Sequence, residues 1–560
     1  METKKKSKKS VIIAVVVVLL VAFGAYFAYA FFDVFKSNKT IYLEAEAKEM
    51  NNLSKKVEEY NKQYNEYIAP YLEGAVEQKM EISNLNIDME VPDPQVQKVM
   101  DLLKDSKLIM ESKMDDTNKK NYVKVNFNVK NSNLIGAEFF YDAEKLAFGA
   151  PALYNKYGYF NWKDKAVIKQ KYDMDIPDKI PSQKEYVELI QIPSKELKPI
   201  IREYAKLYAD SIKDEQVSVK KGATFEENGV KLAAREITVT FTPEQYKQLM
   251  KNIVEKISKD EKLQDLLYPR YQKLVELTGS GRSEEDLPKL SKEEFKKKFA
   301  EFKEETDRSL NKADFGDGVK MIVYVDRNDN ILSRTIEFNN KNAGQKDVLK
   351  LASFQDNEKQ DRVVFNVSST KSGDRESIFT ITYVNKKDGD NSKGNVKLNV
   401  TEKMGNTPMS DFKADADFTL AKDGNKENQD VNIKLYVNGN NTDPIALAWK
   451  GATTENDKDK TRAADYKVEI NLPKNDPTMP PTMPKKIGFT IKNDEKFDVG
   501  EVKLPALGVQ NSINLATLTD QQMMQIQQEI QSSVGQYVMK NMQLFQQLGI
   551  MPPGAGNMVQ

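Results

Sequence analysis

Three kinds of residue pattern in this chain have the spacing that chemistry needs. Ser-x-x-Lys recurs at Ser218 with Lys221, Ser368 with Lys371 and Ser410 with Lys413, and Lys371-Ser372-Gly373 follows the second of these. A lysine three residues past a serine can serve as its base when the serine opens a helix. Here Ser368 closes an alternating run and Lys371 falls in a turn, so the spacing reads as chance in a lysine-rich chain. Asp326, Asn328, Asn330 and Glu337 occupy positions 1, 3, 5 and 12 of a calcium-loop count, yet position 6 is Ile331, where the sharp bend needs glycine. The flanks alternate as strands, so a hairpin turn is expected there. Asp388, Asp390 and Asp423 read as solvated turn residues with no specific affinity for Ca2+. Tyr154, Tyr157, Tyr159, Phe160, Trp162 and Tyr172 crowd one segment. Such rings could contact sugar or lipid, although core and edge packing is their commoner fate.

Composition narrows the chemistry further. The chain has neither histidine nor cysteine. That removes imidazole and thiolate metal ligands, cysteine nucleophiles, every Ser-His arrangement and all disulfides. Carboxylates, lysine, serine and tyrosine remain. Nothing sets two carboxylates opposite each other in a cleft, and no glycine-rich phosphate loop is present. The reading is therefore of no catalytic residues, no metal and no cofactor, with ligand-binding residues left open. The 84 basic and 84 acidic residues cancel, which gives no footprint for nucleic acid.

The elements that would position any site start from residues 11–32. These 22 residues carry no charge and follow Lys4, Lys5, Lys6, Lys8 and Lys9. As a helix they reach roughly 33 Å, enough for a hydrocarbon core of about 30 Å. The lysines keep the N-terminus cytoplasmic, so the C-terminal domain is expected outside the cell membrane. A second reading is a cleaved signal peptide, with cleavage after Ala30. Residues 1–10 are then a basic cytoplasmic tail, 11–32 the transmembrane anchor and 33–80 a juxtamembrane helical segment. Met50, Leu53, Val57, Tyr60 and Tyr64 give that segment a 3-4 apolar stripe, ended by Pro70 and Gly74. A mixed α+β domain is expected over 81–278 and a linker over 279–290. A β-rich domain with a C-terminal helix follows over 291–548, then a flexible tail over 549–560. Alternation is clearest in the β-rich part, from Val319-Met321-Val323-Val325 through Val363-Phe365-Val367 and Val431-Ile433-Leu435 to Ile487-Phe489-Ile491, each with one wet and one dry face. The helix over 520–548 has almost no charge and is expected to lie along those dry faces as a lid.

The fold class that follows is α+β: a transmembrane helix, then long antiparallel strands in curved, half-barrel-like sheets with packing helices. That architecture, over 81–491, loosely resembles the LolA/LppX-like envelope lipid carriers, and the whole chain is similar to single-pass envelope proteins of Gram-positive bacteria. The resemblance implies a non-enzymatic, membrane-anchored extracytoplasmic protein that binds a lipid or other apolar ligand, or assists envelope assembly. Its partners would be the membrane, through 11–32, and a lipid or an envelope protein. Two other readings stay open: a structural or interaction protein without a ligand cavity, and an exported hydrolase running on carboxylates.

Overall fold

Alternation and capping residues decide most of what forms. The computed structural model describes residues 37–89, 94–130, 132–174, 176, 180, 182–278, 288–340, 344–371, 375–405, 407–437, 443–473 and 483–547. The anchor expected at 11–32, most of the linker expected at 279–290 and the tail expected at 549–560 lie outside them. Among the described residues no helix is long and apolar enough to cross a membrane.

In chain order the first elements are α1 (Asn38–Glu73), β1 (Val76–Met89), α2 (Pro94–Lys104), β2 (Ser106–Asp115), β3 (Lys120–Val129), β4 (Ser132–Tyr141), β5 (Lys145–Gly149) and β6 (Tyr157–Asn161). Next come α3 (Lys165–Tyr172), α4 (Gln183–Ile190), α5 (Ser194–Asp210), β7 (Val217–Glu227), β8 (Val230–Phe241), α6 (Pro243–Lys259), α7 (Glu261–Thr278) and α8 (Lys292–Lys312). Eleven further strands follow: β9 (Val319–Val325), β10 (Ile331–Asn340), β11 (Gln345–Gln355), β12 (Gln360–Lys371), β13 (Arg375–Asp388), β14 (Asn391–Met404), β15 (Thr407–Asp423), β16 (Lys426–Val437), β17 (Ile445–Asn456), β18 (Thr461–Asn471) and β19 (Pro484–Phe497). A short β20 (Ser512–Asn514) leads to α9 (Asp520–Lys540) and α10 (Met542–Gln547). The molecule is thus mostly antiparallel sheet with some helices, as the alternation predicts. The juxtamembrane segment is helical only to Glu73. Pro70 does not end it; the chain turns one residue later still, at Gly74, and β1 is already under way by Val76.

Packing divides the chain into two units that interleave along the sequence, and the boundary expected at 279–290 is not where they part. Of the described residues, the first unit holds those within 37–64, 188–386 and 395–413. Its strands pair in the order β7-β8-β9-β10-β11-β12-β13, all antiparallel. The β7–β10 face carries Val239, Met321 and Val323, and Tyr42 and Ala45 of α1 and Leu249 of α6 bury it. Helix α6 starts with a capping box: the Thr242 hydroxyl accepts from the Gln245 backbone N–H, and Pro243 takes the first turn. On the other face, the Phe225 and Phe354 rings meet at 4.9 Å. In a flat sheet β7 and β11 would lie four spacings, about 19 Å, apart. The sheet therefore curls at that end, over Ala234, Ala352 and Val364.

The second unit holds the described residues within 65–187, 387–394 and 414–547. Its strands pair as β16-β17-β18-β19-β1-β2-β3-β4-β5-β6, antiparallel throughout, and β20 then joins β6 in parallel. Here the lid expectation is corrected. No α9 side chain is buried, and Met524 and Met539 are more than half exposed. The C-terminal segment docks instead through Tyr537, Leu544 and Phe545 onto Leu102, Val129 and Leu134. The apolar residues of α9 spread around the helix between glutamines, so it offers no continuous stripe to the long strands.

Candidate functional site

The sequence patterns that could have carried chemistry do not assemble into sites. Ser368 and Lys371 both lie on β12, whose register runs unbroken, so an odd spacing puts them on opposite faces. Ser218 with Lys221 and Ser410 with Lys413 also sit on strands, β7 and β15, not at helix starts. Asp326 opens the β9–β10 hairpin: its Oδ1 accepts from the Asn328 and Asn330 backbone N–H groups, both at 2.8 Å. Glu337 is out on β10. Asp142 and Asp356 open the β4–β5 and β11–β12 hairpins in the same way. Among the described residues no three carboxylates gather as a metal site. The aromatic segment is structural. Phe160 is buried with Ile168 of α3, and Trp162 donates to the Asp142 carbonyl at 2.9 Å. Tyr157 donates to Glu138 at 2.6 Å; burial and that bond push its hydroxyl pKa up to about 12.

What the second unit does assemble is an apolar face. Register places Ile433, Leu447, Ile470 and Ile487 in one row across β16–β19. A parallel row runs Tyr466, Ile491, Ile82, Leu108, Phe127 and Ile135 across β18, β19 and β1–β4. Between them lie Trp449, Val468 and Phe489. Among the described residues α10 reaches this face at Phe127, α3 packs at Phe160 and the end of α1 at Phe497, and α2, which joins β1 to β2, packs on both of those strands. Ile82, Leu108, Ile470, Ile487 and Ile491 stay half-exposed and belong to no buried cluster, and Ile135 is 43% exposed. The opposite face of the same strands is laced with ion pairs: Lys450–Asp430 at 3.0 Å, Lys486–Glu469 at 3.1 Å, Lys107–Glu81 at 3.0 Å and Lys124–Glu138 at 3.1 Å. On β4 that face also packs Phe140, 1% exposed, beside Glu138, so the ion pairs mark the polar side on β16–β19, β1 and β2, while among the described residues the apolar face keeps Ile135 and Phe139 exposed.

One polar row is set into that apolar face. Arg462, Glu495, Gln78 and Ser112 are successive register partners across β18, β19, β1 and β2. Gln78 Nε2 donates to Asn493 at 2.9 Å and to Glu495 at 3.3 Å, and Ser112 donates to Gln78 Oε1 at 3.5 Å. Tyr71, from the end of α1, donates to Glu495 at 2.8 Å; burial and then this bond raise its hydroxyl pKa. The Arg462 guanidinium stacks on Tyr67, 4.5 Å from the ring centre, and pairs with Glu455 and Glu495. Sequence reading missed this row. Arg462 interrupts nothing visible, because the alternating apolar run on β18 begins only at Tyr466.

No family model matches the chain, and no curated protein does. Among solved structures it is similar to OmpT, an outer membrane protein of Vibrio cholerae, at 9% identity over 76% of this chain and 98% of that one, with a TM-score of 0.19. It is also similar to the CymD monoaromatic hydrocarbon channel, at 8% identity over 76% and 89%, with a TM-score of 0.20. Likenesses this slight carry no inference about fold or activity.

Proposed function

We propose that the protein is a non-enzymatic, membrane-anchored envelope component that holds a lipid or other apolar ligand on the uncovered face of its second unit. The observation that carries this is the eight-strand apolar face, half-exposed in its middle and backed by an ion-paired face. A sheet with one dry side must bury it on another layer, on itself or on a ligand. The curled β7–β11 end of the first unit supports the half-barrel reading of the architecture, and with it the likeness to envelope lipid carriers. The uncharged residues 11–32, preceded by five lysines, support a single-pass anchor with both units outside the cytoplasm.

The chain has no cysteine, so single labels are clean. Ile470→Cys on the apolar face and Lys467→Cys on the ion-paired face would each carry a fluorophore in the full-length protein. Lipids with brominated chains should quench the label at 470 and leave the one at 467 bright. Equal quenching at both positions, or none at either, overturns the proposal, and the second outcome leaves an envelope protein without a ligand.

A further inference from the structure

The polar row on the apolar face has a charge balance that selects among lipids. Arg462, its one cation, stands between two carboxylates: Glu455, its register partner on β17, at 2.8 Å, and Glu495 at 3.7 Å. Around them stand neutral groups: Gln78, Asn493, Ser112 and, on β17 and β18, Thr453 and Tyr466, whose hydroxyls lie 2.6 Å apart. An anionic phosphate would meet no free cation here, and it would have to break the Arg462–Glu495 pair to obtain one. Sugar or glycerol hydroxyls, by contrast, can both donate and accept, and the Ser112, Thr453 and Tyr466 oxygens have spare acceptor capacity.

The Ile433 row runs from β16 to β19 and the Tyr466 row, two rows further along the strands, from β18 to β4, so the apolar residues form an oblique strip. An elongated chain laid across the strands fits that strip. Met80 and Met110 flank the polar row directly, and Ile82, Ile491 and Leu108 lie one row beyond, so an amphiphile would have its head and tail in register.

Resting on the ligand-binding function proposed above, we infer that the second unit binds a neutral, hydroxyl-bearing amphiphile, with its head on Gln78, Ser112 and Asn493 and its acyl chain along Ile82, Leu108, Ile470 and Ile487. An anionic phospholipid binds less well. The test uses the full-length protein and two photoreactive lipids with identical acyl chains, a neutral glycosyl diacylglycerol and phosphatidylglycerol. The neutral lipid is expected to label β1, β2, β18 and β19 at least fivefold more than the anionic one. Gln78→Leu should lower the neutral labelling about fivefold, the worth of one lost hydrogen bond. Ser112→Lys, which adds a cation to the row, should shift preference toward phosphatidylglycerol, and it keeps the test decisive if Gln78→Leu fails to fold. Equal labelling by both lipids, or an unchanged preference in Ser112→Lys, overturns the head-group inference while leaving ligand binding intact. Labelling of these strands by neither lipid defeats the ligand-binding function itself.

Discussion

The most demanding prediction concerns a buried ion pair in the first unit. Glu46 of α1 is 1% exposed, and its carboxylate receives the Arg334 guanidinium from β10. Tyr42 and Tyr208 close over it with their hydroxyls 2.9 Å apart, and Tyr42 also reaches Met321 at 3.9 Å. Burial, then the Glu46 charge, hold both tyrosine pKa values high, so both stay neutral donors. Glu46 Oε1 and Arg334 Nε have no hydrogen-bond partner. The site therefore tolerates no further loss of charge compensation. Arg334→Met would strand a buried carboxylate, at a cost of about 3–5 kcal/mol. For a unit of this size that lowers the thermal midpoint by roughly 10 °C. Replacing both partners, Glu46→Met with Arg334→Met, removes the charges together and should recover most of the loss. Calorimetry on the full-length chain, Glu46→Met, Arg334→Met and the double variant closes the cycle. If Arg334→Met costs under about 1 kcal/mol, or the double variant is no better than the single, the pair is not buried as described.

The other predictions follow from single contacts. Phe545→Asp should destabilise the second unit by about 2–3 kcal/mol, because Phe545 packs on the Leu102–Val129 cluster, whereas Ile530→Asp, at a position 38% exposed, should change the melting curve little. At Asp356, burial raises the carboxyl pKa, but bonds from the Gln360 backbone, the Arg362 guanidinium and the Glu358 backbone outweigh it and leave the pKa lowered. Stability from this group is thus full above the ordinary aspartate range and lost as pH falls through the lower folded value, so Asp356→Asn should flatten the acid limb of a urea-midpoint against pH plot. An unchanged limb would remove Asp356 from the acid response. Gly318→Ala should cost more than the usual glycine replacement, since φ is +93° and an added Cβ would sit 2.1 Å from the Phe241 carbonyl oxygen; equal midpoints for the two proteins would contradict that crowding.

The strands were legible because period-2 alternation is local, and turn residues punctuate it. The β9–β10 hairpin at Asp326 forms where alternation stopped, and capping boxes at Thr242 and Thr519 start α6 and α9. Which strand pairs with which is written in no local pattern. The chain order suggests a meander, yet β1 pairs with β19, about 400 residues on in sequence. That pairing, together with the parallel β20–β6 contact, gathers the two sequence halves into units that cross the expected linker. The lid failed for a related reason. Low charge in 520–548 indicates an environment poor in water but does not say which surface supplies it. Leu102 and Val129 do so, from a part of the chain that the 319–491 alternation does not include.

The polar features were the least legible, although one left a trace. On β10 the dry-face series runs through Ile336 and Phe338, and the position that continues it toward the turn is Arg334. An arginine at a dry register position requires a carboxylate from elsewhere, because an uncompensated buried charge is too costly. Glu46 answers it, from the buried stripe of α1 that also holds Tyr42, Ala45 and Met50. The same logic applies to Arg462, which shares a face of β18 with Tyr466 and Val468 and is answered by Glu495 and by Tyr71 of α1. In each unit, then, a strand face that is otherwise apolar carries an arginine answered from the part of α1 in that unit. In the first unit that arginine lies under the helices, where the pair serves stability. In the second it lies at the edge of the uncovered face, where the same kind of pair leaves neutral hydrogen-bonding groups beside a surface that an acyl chain can cover.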